Sequence, residues 1–254
     1  MNTFSKNCLE GKTFLVTGAS SGIGNATALL LAQHGARIIA GGRSDERLDS
    51  LLQKLPKGDH LKSRFDLQRA DEVAEWVSDL AVSFGPLSGI FHGAGIELIR
   101  PIRMTKQAQL DEIFGSTLYS AFGIARASAQ KNIITDGGSI VFMSSVAASH
   151  GQFGMTAYSA VKSGVDGLVK SLSCELAQRK IRVNSIAAGA VKTAMHDRLT
   201  NSSGEEAAKH YENAHLLGFG AAEDIASSAL FLLSDASRWI TGTTMLVDGG
   251  YSVR

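Results

Sequence analysis

Thr13-Phe14-Leu15-Val16-Thr17-Gly18-Ala19-Ser20-Ser21-Gly22-Ile23-Gly24 is the stretch whose reading decides the architecture. A short apolar run ends at a glycine, and from Ile23 to Gln33 the apolar residues recur at the 3.6-residue spacing of a helix. The order is therefore strand, glycine turn, helix. Glycines in such a turn let the backbone approach a pyrophosphate closely. The amides at the helix N-terminus then present unpaired donors and the positive end of the helix dipole. Glycine also serves turns that bind nothing, so the flanking strand and helix give the motif its weight.

Working outward, the same alternation repeats. Strands are expected at Arg37 to Ala40, Leu61 to Phe65, Gly89 to Phe91, Ser139 to Met143, Ile181 to Ala187 and Thr244 to Val247. Helices are expected at Asp45 to Leu55, Ala70 to Phe84, Leu110 to Ala129, Tyr158 to Ala177 and Ala222 to Leu233. Short and almost wholly apolar strands that alternate with helices mean a parallel sheet buried on both faces. The expected fold is α/β, a doubly wound, Rossmann-like sheet of seven parallel strands in one domain, residues 1–254, with ligands at the carboxyl ends of the strands. The more polar stretch 192–217 interrupts the alternation and reads as a substrate lid.

Composition narrows the partner. Of the 254 residues 44% are hydrophobic, and 25 Lys+Arg nearly cancel 24 Asp+Glu, so no net field is directed at nucleic acid or a membrane surface. A small-molecule ligand is expected. Cys8 and Cys174 are far apart and have no neighbours at metal-ligand spacing, which argues against a disulfide framework and a zinc site. No basic leader or membrane-length apolar run is visible, and the expected location is cytoplasmic.

Two further places carry chemistry. At the end of the second strand, where dinucleotide folds commonly hold an acidic residue for the adenosine ribose, the chain reads Gly41-Gly42-Arg43. No carboxylate there repels a 2′-phosphate, and the Arg43 guanidinium can grip one bidentately; NADP(H) is thus preferred, with NAD(H) as the alternative. Ser20 and Ser21 add hydroxyl donors. Farther along, Tyr158 and Lys162 lie one helical turn apart on the same side, and Ser144 and Ser145 end a strand at the ligand-binding edge. Carbonyl reduction needs a proton donor at oxygen while hydride arrives at carbon. A tyrosine with its ordinary pKa of about 10 exchanges protons poorly at neutral pH, and a nearby ammonium would favour its phenolate. Lys162 would supply that ammonium and also hold the nicotinamide ribose, while Ser145 would hydrogen-bond the substrate oxygen.

From about Glu10 to Tyr251 these segments resemble the compact, single-domain branch of the short-chain dehydrogenase/reductase family, 3-oxoacyl-carrier-protein reductases among them. The family's Thr-Gly-x-x-x-Gly-x-Gly is matched at Thr17 to Gly24, its Tyr-x-x-x-Lys at Tyr158 to Lys162, and its upstream serine at Ser145. The resemblance implies an enzyme that moves hydride between a nicotinamide and a carbonyl or secondary alcohol. In it Tyr158 is the acid/base, Lys162 its activator and Ser145 the substrate-positioning hydroxyl. It also implies Gly18, Ser20, Ser21, Gly22, Ile23 and Gly24 as the phosphate turn, Asp66 and Leu67 as the adenine pair, and Gly93, Val191 and Thr193 as further coenzyme contacts. A homotetramer or homodimer follows from the same likeness.

The departures fall near the site. The family's Asn-Asn-Ala-Gly reads His92-Gly93-Ala94-Gly95, so the asparagine's bonds are missing or replaced by His92. Pro-Gly after the sixth strand is Ala188-Gly189, which removes a rigid residue, and the fourth catalytic residue, an asparagine, is matched by Thr117. Asn184 and Asp248-Gly249-Gly250 fit the family pattern. Arg179 occupies one of the basic positions used for an acidic carrier protein, while Asp136 stands where a second arginine is expected. The rival to the enzyme is a cofactor-binding or scaffold protein of the same fold with impaired catalysis.

Overall fold

The computed structural model describes residues 5–193, 209 and 211–253. Seven parallel strands form one sheet: β1 (Thr13–Thr17), β2 (Arg37–Gly42), β3 (Leu61–Arg64), β4 (Leu87–His92), β5 (Ile134–Ser145), β6 (Arg182–Ala188) and β7 (Thr244–Val247), in spatial order β3-β2-β1-β4-β5-β6-β7. The order reverses between β1 and β4, and the crevice there is where a doubly wound sheet binds its ligand. The predicted seven-stranded, doubly wound single domain is what the chain forms.

The inner strands carry no polar face because both faces are covered, whereas the edge strand β3 turns Lys62 and Arg64 to solvent. In β1, Phe14 and Val16 enter the core layer beneath α1 (Gly22–Gln33), α2 (Asp45–Leu52) and α7 (Ala222–Leu233), whereas Leu15 enters the opposite layer. That second layer is closed by α3 (Ala70–Phe84), α5 (Ser120–Ala129) and α6 (Thr156–Leu176). Alternate residues thus point to opposite faces and all find apolar neighbours, which explains the nearly unbroken apolar run.

Three boundaries differ from the sequence reading by three residues or more. β5 starts at Ile134 rather than Ser139, because Leu87 pairs with Ile134 and Gly89 with Ser139, a register shift that absorbs Asp136-Gly137-Gly138. α2 ends at Leu52 instead of Leu55. The helix expected over Leu110 to Ala129 begins at Gln107 and is not uniform: α4 (Gln107–Ile113) leads into a π-helical segment, Phe114–Tyr119, before α5. Periodicity of 3.6 cannot register such an insertion, since its extra residue per turn is a tertiary adjustment; π-turns of this kind occur frequently at functional sites.

Candidate active site

The glycine turn is shaped by close approach. Gly18 has φ of +70°, and a Cβ there would stand 2.9 Å from the backbone of Gly93 and Ala94 at the end of β4. A Cβ on Gly24 would lie 2.3 Å from the Gly18 carbonyl oxygen. Turn and helix therefore close on each other, leaving a floor with the helix amides at its edge. Gly18, Ser20, Ser21, Gly22, Ile23 and Gly24 all line a cleft of about 820 Å³. Asp66, Leu67 and Gly93 line it as well, and so do Val191 and Thr193, the last packed against Gly22. Backbone donors without side-chain cover, next to a helix N-terminus, fit the diphosphate of a dinucleotide.

At one end of the cleft stand Gly42, Arg43 and Arg47. β2 closes in glycine for a packing reason: a Cβ on Gly41 would meet the Trp76 ring at 2.9 Å, and Trp76 is stacked on Phe65 at 4.9 Å between centroids. Ser44 then caps α2, its hydroxyl accepting from the Arg47 N–H at 3.4 Å. Both arginines are exposed, and among the described residues neither takes part in an ion pair. Arg47 was not singled out from the sequence; its place in the first turn of α2, one turn beyond Arg43, is the signal that would have found it.

At the other end Ser145, Tyr158 and Lys162 meet, all three lining the cleft. Ser145 ends β5, and its side-chain hydroxyl accepts from the Ala147 N–H at 3.2 Å and lies close enough to Tyr158 to favour its phenolate. Lys162 is 5% exposed; its Nζ donates to the Met143 carbonyl at 2.8 Å and lies 5.6 Å from the centre of the Tyr158 ring. Burial draws the Lys162 pKa down to about 8, against the opposing pull of Asp166 and Glu97. The balance at Tyr158 runs opposite to the expected lowering: burial and the Glu97 carboxylate raise its pKa, and the Ser145 hydroxyl offsets only part of that. The Lys162 ammonium is turned onto Met143, so the phenol holds its proton at neutral pH.

Thr117 sits within the π segment, 2% exposed, and its hydroxyl has no hydrogen-bond partner among the described residues. A Cβ on Gly95 would stand 3.3 Å from this Oγ1 and 3.8 Å from the Lys162 Nζ, so the fold brings Thr117 to Lys162 across the bare face of Gly95. The π-turn explains how a helix can aim this side chain inward. His92, of the two alternatives, replaces the asparagine's bonds: its ring nitrogens lie 2.9 Å from Thr17 Oγ1 and 3.0 Å from Ser120 Oγ.

The loop after β6 gains by another route the rigidity that proline would have supplied. A Cβ on Gly189 would be 2.8 Å from the Asp248 Cα, and buried His215 accepts from the Ala190 N–H at 3.1 Å while its Nδ1–H donates to the Tyr211 carbonyl. Asn184 donates to the Ile240 carbonyl at 3.0 Å and accepts from the Thr243 N–H, tying β6 to the approach of β7. Glu97, Gln152 and Tyr211 also line the cleft and were missed, because each stands outside any motif or helical periodicity. Most of the lid expected over 192–217 lies outside the described residues. Arg179 is no free carrier contact: its Nε donates to Asp136 Oδ1 at 2.9 Å, and its other nitrogens donate to the carbonyls of Ser128, Gln130 and Ile134.

The comparisons agree with this geometry. Residues 18–252 match the family model described as enoyl-(acyl carrier protein) reductase. The chain is 37% identical over 247 residues to the 3-oxoacyl-[acyl-carrier-protein] reductase FabG of Thermotoga maritima, covering 95% of this chain and 98% of that protein. It is 35% identical to tropinone reductase-like 2 of Erythroxylum coca, covering 96% and 92%. Among solved structures, a short-chain type dehydrogenase/reductase from Mycobacterium ulcerans superposes with a TM-score of 0.89 at 32% identity, covering 97% of this chain and 91% of that one. The chain belongs to the short-chain dehydrogenase/reductase family and is an oxidoreductase of that family. Relatives of this kind imply a nicotinamide coenzyme. No described helix is long and apolar enough to cross a membrane.

Proposed function

We propose that the chain reduces the carbonyl of a small molecule with NADP(H), Tyr158 serving as the proton donor. The observation that carries this reading is the meeting of half-buried Ser145 and Tyr158 with buried Lys162, in the same cleft as the glycine turn and two arginines without an ion pair among the described residues. When bound, the reduced nicotinamide supplies hydride to the carbonyl carbon. The Ser145 hydroxyl hydrogen-bonds the substrate oxygen and orients it toward Tyr158. Tyr158 releases its phenolic proton to that oxygen as negative charge develops there, so the product leaves as a neutral alcohol. The hydroxyl is protonated across the neutral range and so is ready to donate, while its raised pKa makes release harder than from a free phenol. Lys162, largely cationic below pH 8, compensates the phenolate left behind and offers N–H donors to the ribose hydroxyls.

At the other end of the cleft Arg43, joined by Arg47, grips the 2′-phosphate and selects NADP(H) over NAD(H). Gly18 to Gly24 seat the diphosphate, Asp66 and Leu67 the adenine, and Gly93, Val191 and Thr193 the nicotinamide half. Thr117 restores the Tyr158 proton by way of Lys162, its hydroxyl able both to donate and to accept. The substrate arrives free rather than on an acyl carrier, because Arg179 is consumed by Asp136 and three carbonyls. Assembly as a homodimer or homotetramer through the half-exposed Tyr119 and Phe122 of the α4–α5 helix belongs to the same reading. The test is a panel of ketones, sugars, polyols and steroids followed by NADPH oxidation, with mass spectrometry of the products. Turnover of at least one ketone to its alcohol is expected, and NADPH binding without turnover on any member would favour a scaffold.

A further inference from the structure

Between the coenzyme turn and the helix bearing Thr117 lies a line of buried polar groups in which every proton can be assigned. Ser120 Oγ stands 2.9 Å from the Ser116 carbonyl and 3.1 Å from the Thr117 carbonyl. Both are acceptors, so the single hydroxyl proton of Ser120 is committed to them, and toward His92 its oxygen must accept. His92 Nε2, 3.0 Å away, is therefore the protonated nitrogen. A neutral imidazole with its proton on Nε2 leaves Nδ1 as an acceptor, and the group facing Nδ1 at 2.9 Å is the Thr17 hydroxyl. The Thr17 oxygen in turn accepts from the Ala94 N–H at 3.3 Å. The direction runs without a break: Ala94 N–H to Thr17, Thr17 O–H to His92 Nδ1, His92 Nε2–H to Ser120, and the Ser120 O–H shared between the carbonyls of Ser116 and Thr117.

We propose that His92 is a positioning residue which, through this one-way chain, holds the π-turn and hence Thr117 in register with the glycine turn and the Gly93–Gly95 backbone. The inference rests on the reading that the cleft binds a coenzyme and that Thr117 serves Tyr158 through Lys162. Three features of the structure support it. The chain starts at the strand end that packs against Gly18 and finishes on the turn that aims the Thr117 hydroxyl toward Lys162. His92, Thr17 and Ser120 are buried, at 3%, 0% and 0% exposure, so no solvent competes for these bonds. Burial, with the Lys162 charge adding to it, lowers the His92 pKa to about 3, so the imidazole stays neutral and its tautomer persists.

The tautomer is directly measurable in the coenzyme-free protein, independently of whether the enzyme turns over. In ¹⁵N-labelled protein at pH 7, with His92 assigned through its backbone, long-range ¹H–¹⁵N correlation should report the Nε2–H form. The Nδ1–H form or an imidazolium would overturn the chain. The kinetic arm uses Ser120→Ala, which removes the link between His92 and the π-turn and leaves Tyr158, Lys162 and Thr117 in place. We expect kcat to fall a few-fold, no further than Thr117→Val itself, while the Kd for NADPH changes less than about twofold. Ser120→Thr, which keeps the hydroxyl, should restore kcat. Combining Ser120→Ala with Thr117→Val should cost little beyond the worse single variant, because both act through Thr117. Independent, multiplying losses, or a loss of thermal stability with kcat unchanged, would reduce His92 to a packing residue. Absence of NADPH binding by wild type would instead defeat the functional reading and leave the tautomer result standing.

Discussion

The two ends of the cleft handle charge in opposite ways. At the end of β2, Arg43 and Arg47 stand exposed, where water screens their charges and nothing but a ligand phosphate would need to displace it. At the end of β5, Lys162 is 5% exposed, Thr117 2% and His92 3%, and each charge or hydrogen bond there is felt at full strength. On the proposed function, recognition would draw on solvated groups whose individual contributions are modest, and catalysis on desolvated groups whose proton affinities are displaced. Substitutions at the buried end should cost the most, and pH should act there rather than at the arginines.

The sharpest break of this contrast is Tyr158→Phe. Loss of the proton donor should lower kcat by roughly 10²–10⁴-fold, the range for a positioned general acid, with the Kd for NADPH nearly unchanged. Stopped-flow turnover beside fluorescence titration of the coenzyme checks both; a variant that retains most of its activity would remove Tyr158 from the acid role. Next comes Lys162→Met in the coenzyme-free protein. The folded pKa of Lys162, about 8, lies below its ordinary 10.5, so between these values the unfolded chain binds more protons and stability rises with pH. The burden is fully present below pH 8. Removing the charge should therefore stabilise the fold at pH 7 by up to about 3 kcal/mol, taking about 1.4 kcal/mol per pKa unit, and this gain should shrink toward pH 10. Thermal unfolding at pH 7 and 9.5 measures it, and an equal shift at both would mean that the effect is packing alone.

At the solvated end, Arg43→Ala should weaken NADPH by about tenfold, the lower part of what a charge-assisted bond contributes, while leaving NADH within about twofold. The Arg43→Ala/Arg47→Ala pair should erase the preference. If either cofactor weakens as much as the other, the arginines act on something common to both. The smallest effect is expected at Thr117. Thr117→Val should slow turnover a few-fold and raise its solvent isotope effect, since only the hydroxyl is lost, whereas Thr117→Asn should preserve it. Equal rates for wild type and Thr117→Val would leave the hydroxyl without a catalytic part.

The contrast also divides what could be read in advance. Arg43 was legible because it stands at a position defined by chain order, one residue past a strand, where the fold itself creates the ligand edge. Tyr158 and Lys162 were legible because helix geometry alone places residues four apart on one face. Arg179 shows the limit of position: its place in the chain was a carrier-type basic position made doubtful by Asp136, and its four hydrogen-bonding acceptors, Asp136 among them, show what it holds instead. The expected lowering of the Tyr158 pKa failed for a similar reason. Proximity of a lysine was visible, but not that its ammonium would donate to Met143 and that Glu97 would face the phenol.

By itself the sequence determined the α/β class, the seven strands, the glycine turn and the one-turn spacing of Tyr158 and Lys162, because each is written in local periodicity or fixed spacing that needs no distant partner. Only the tertiary structure decided the π-turn at Phe114–Tyr119, the seat of Thr117 beside Gly95, the bonds of His92 and the proton affinities of Tyr158 and Lys162. These depend on groups far apart in the chain: Thr17 reaches Ser120 through His92, and burial depends on every layer that covers the site. Local sequence sets where a side chain begins, and the packed neighbours set what it touches and how tightly it holds a proton.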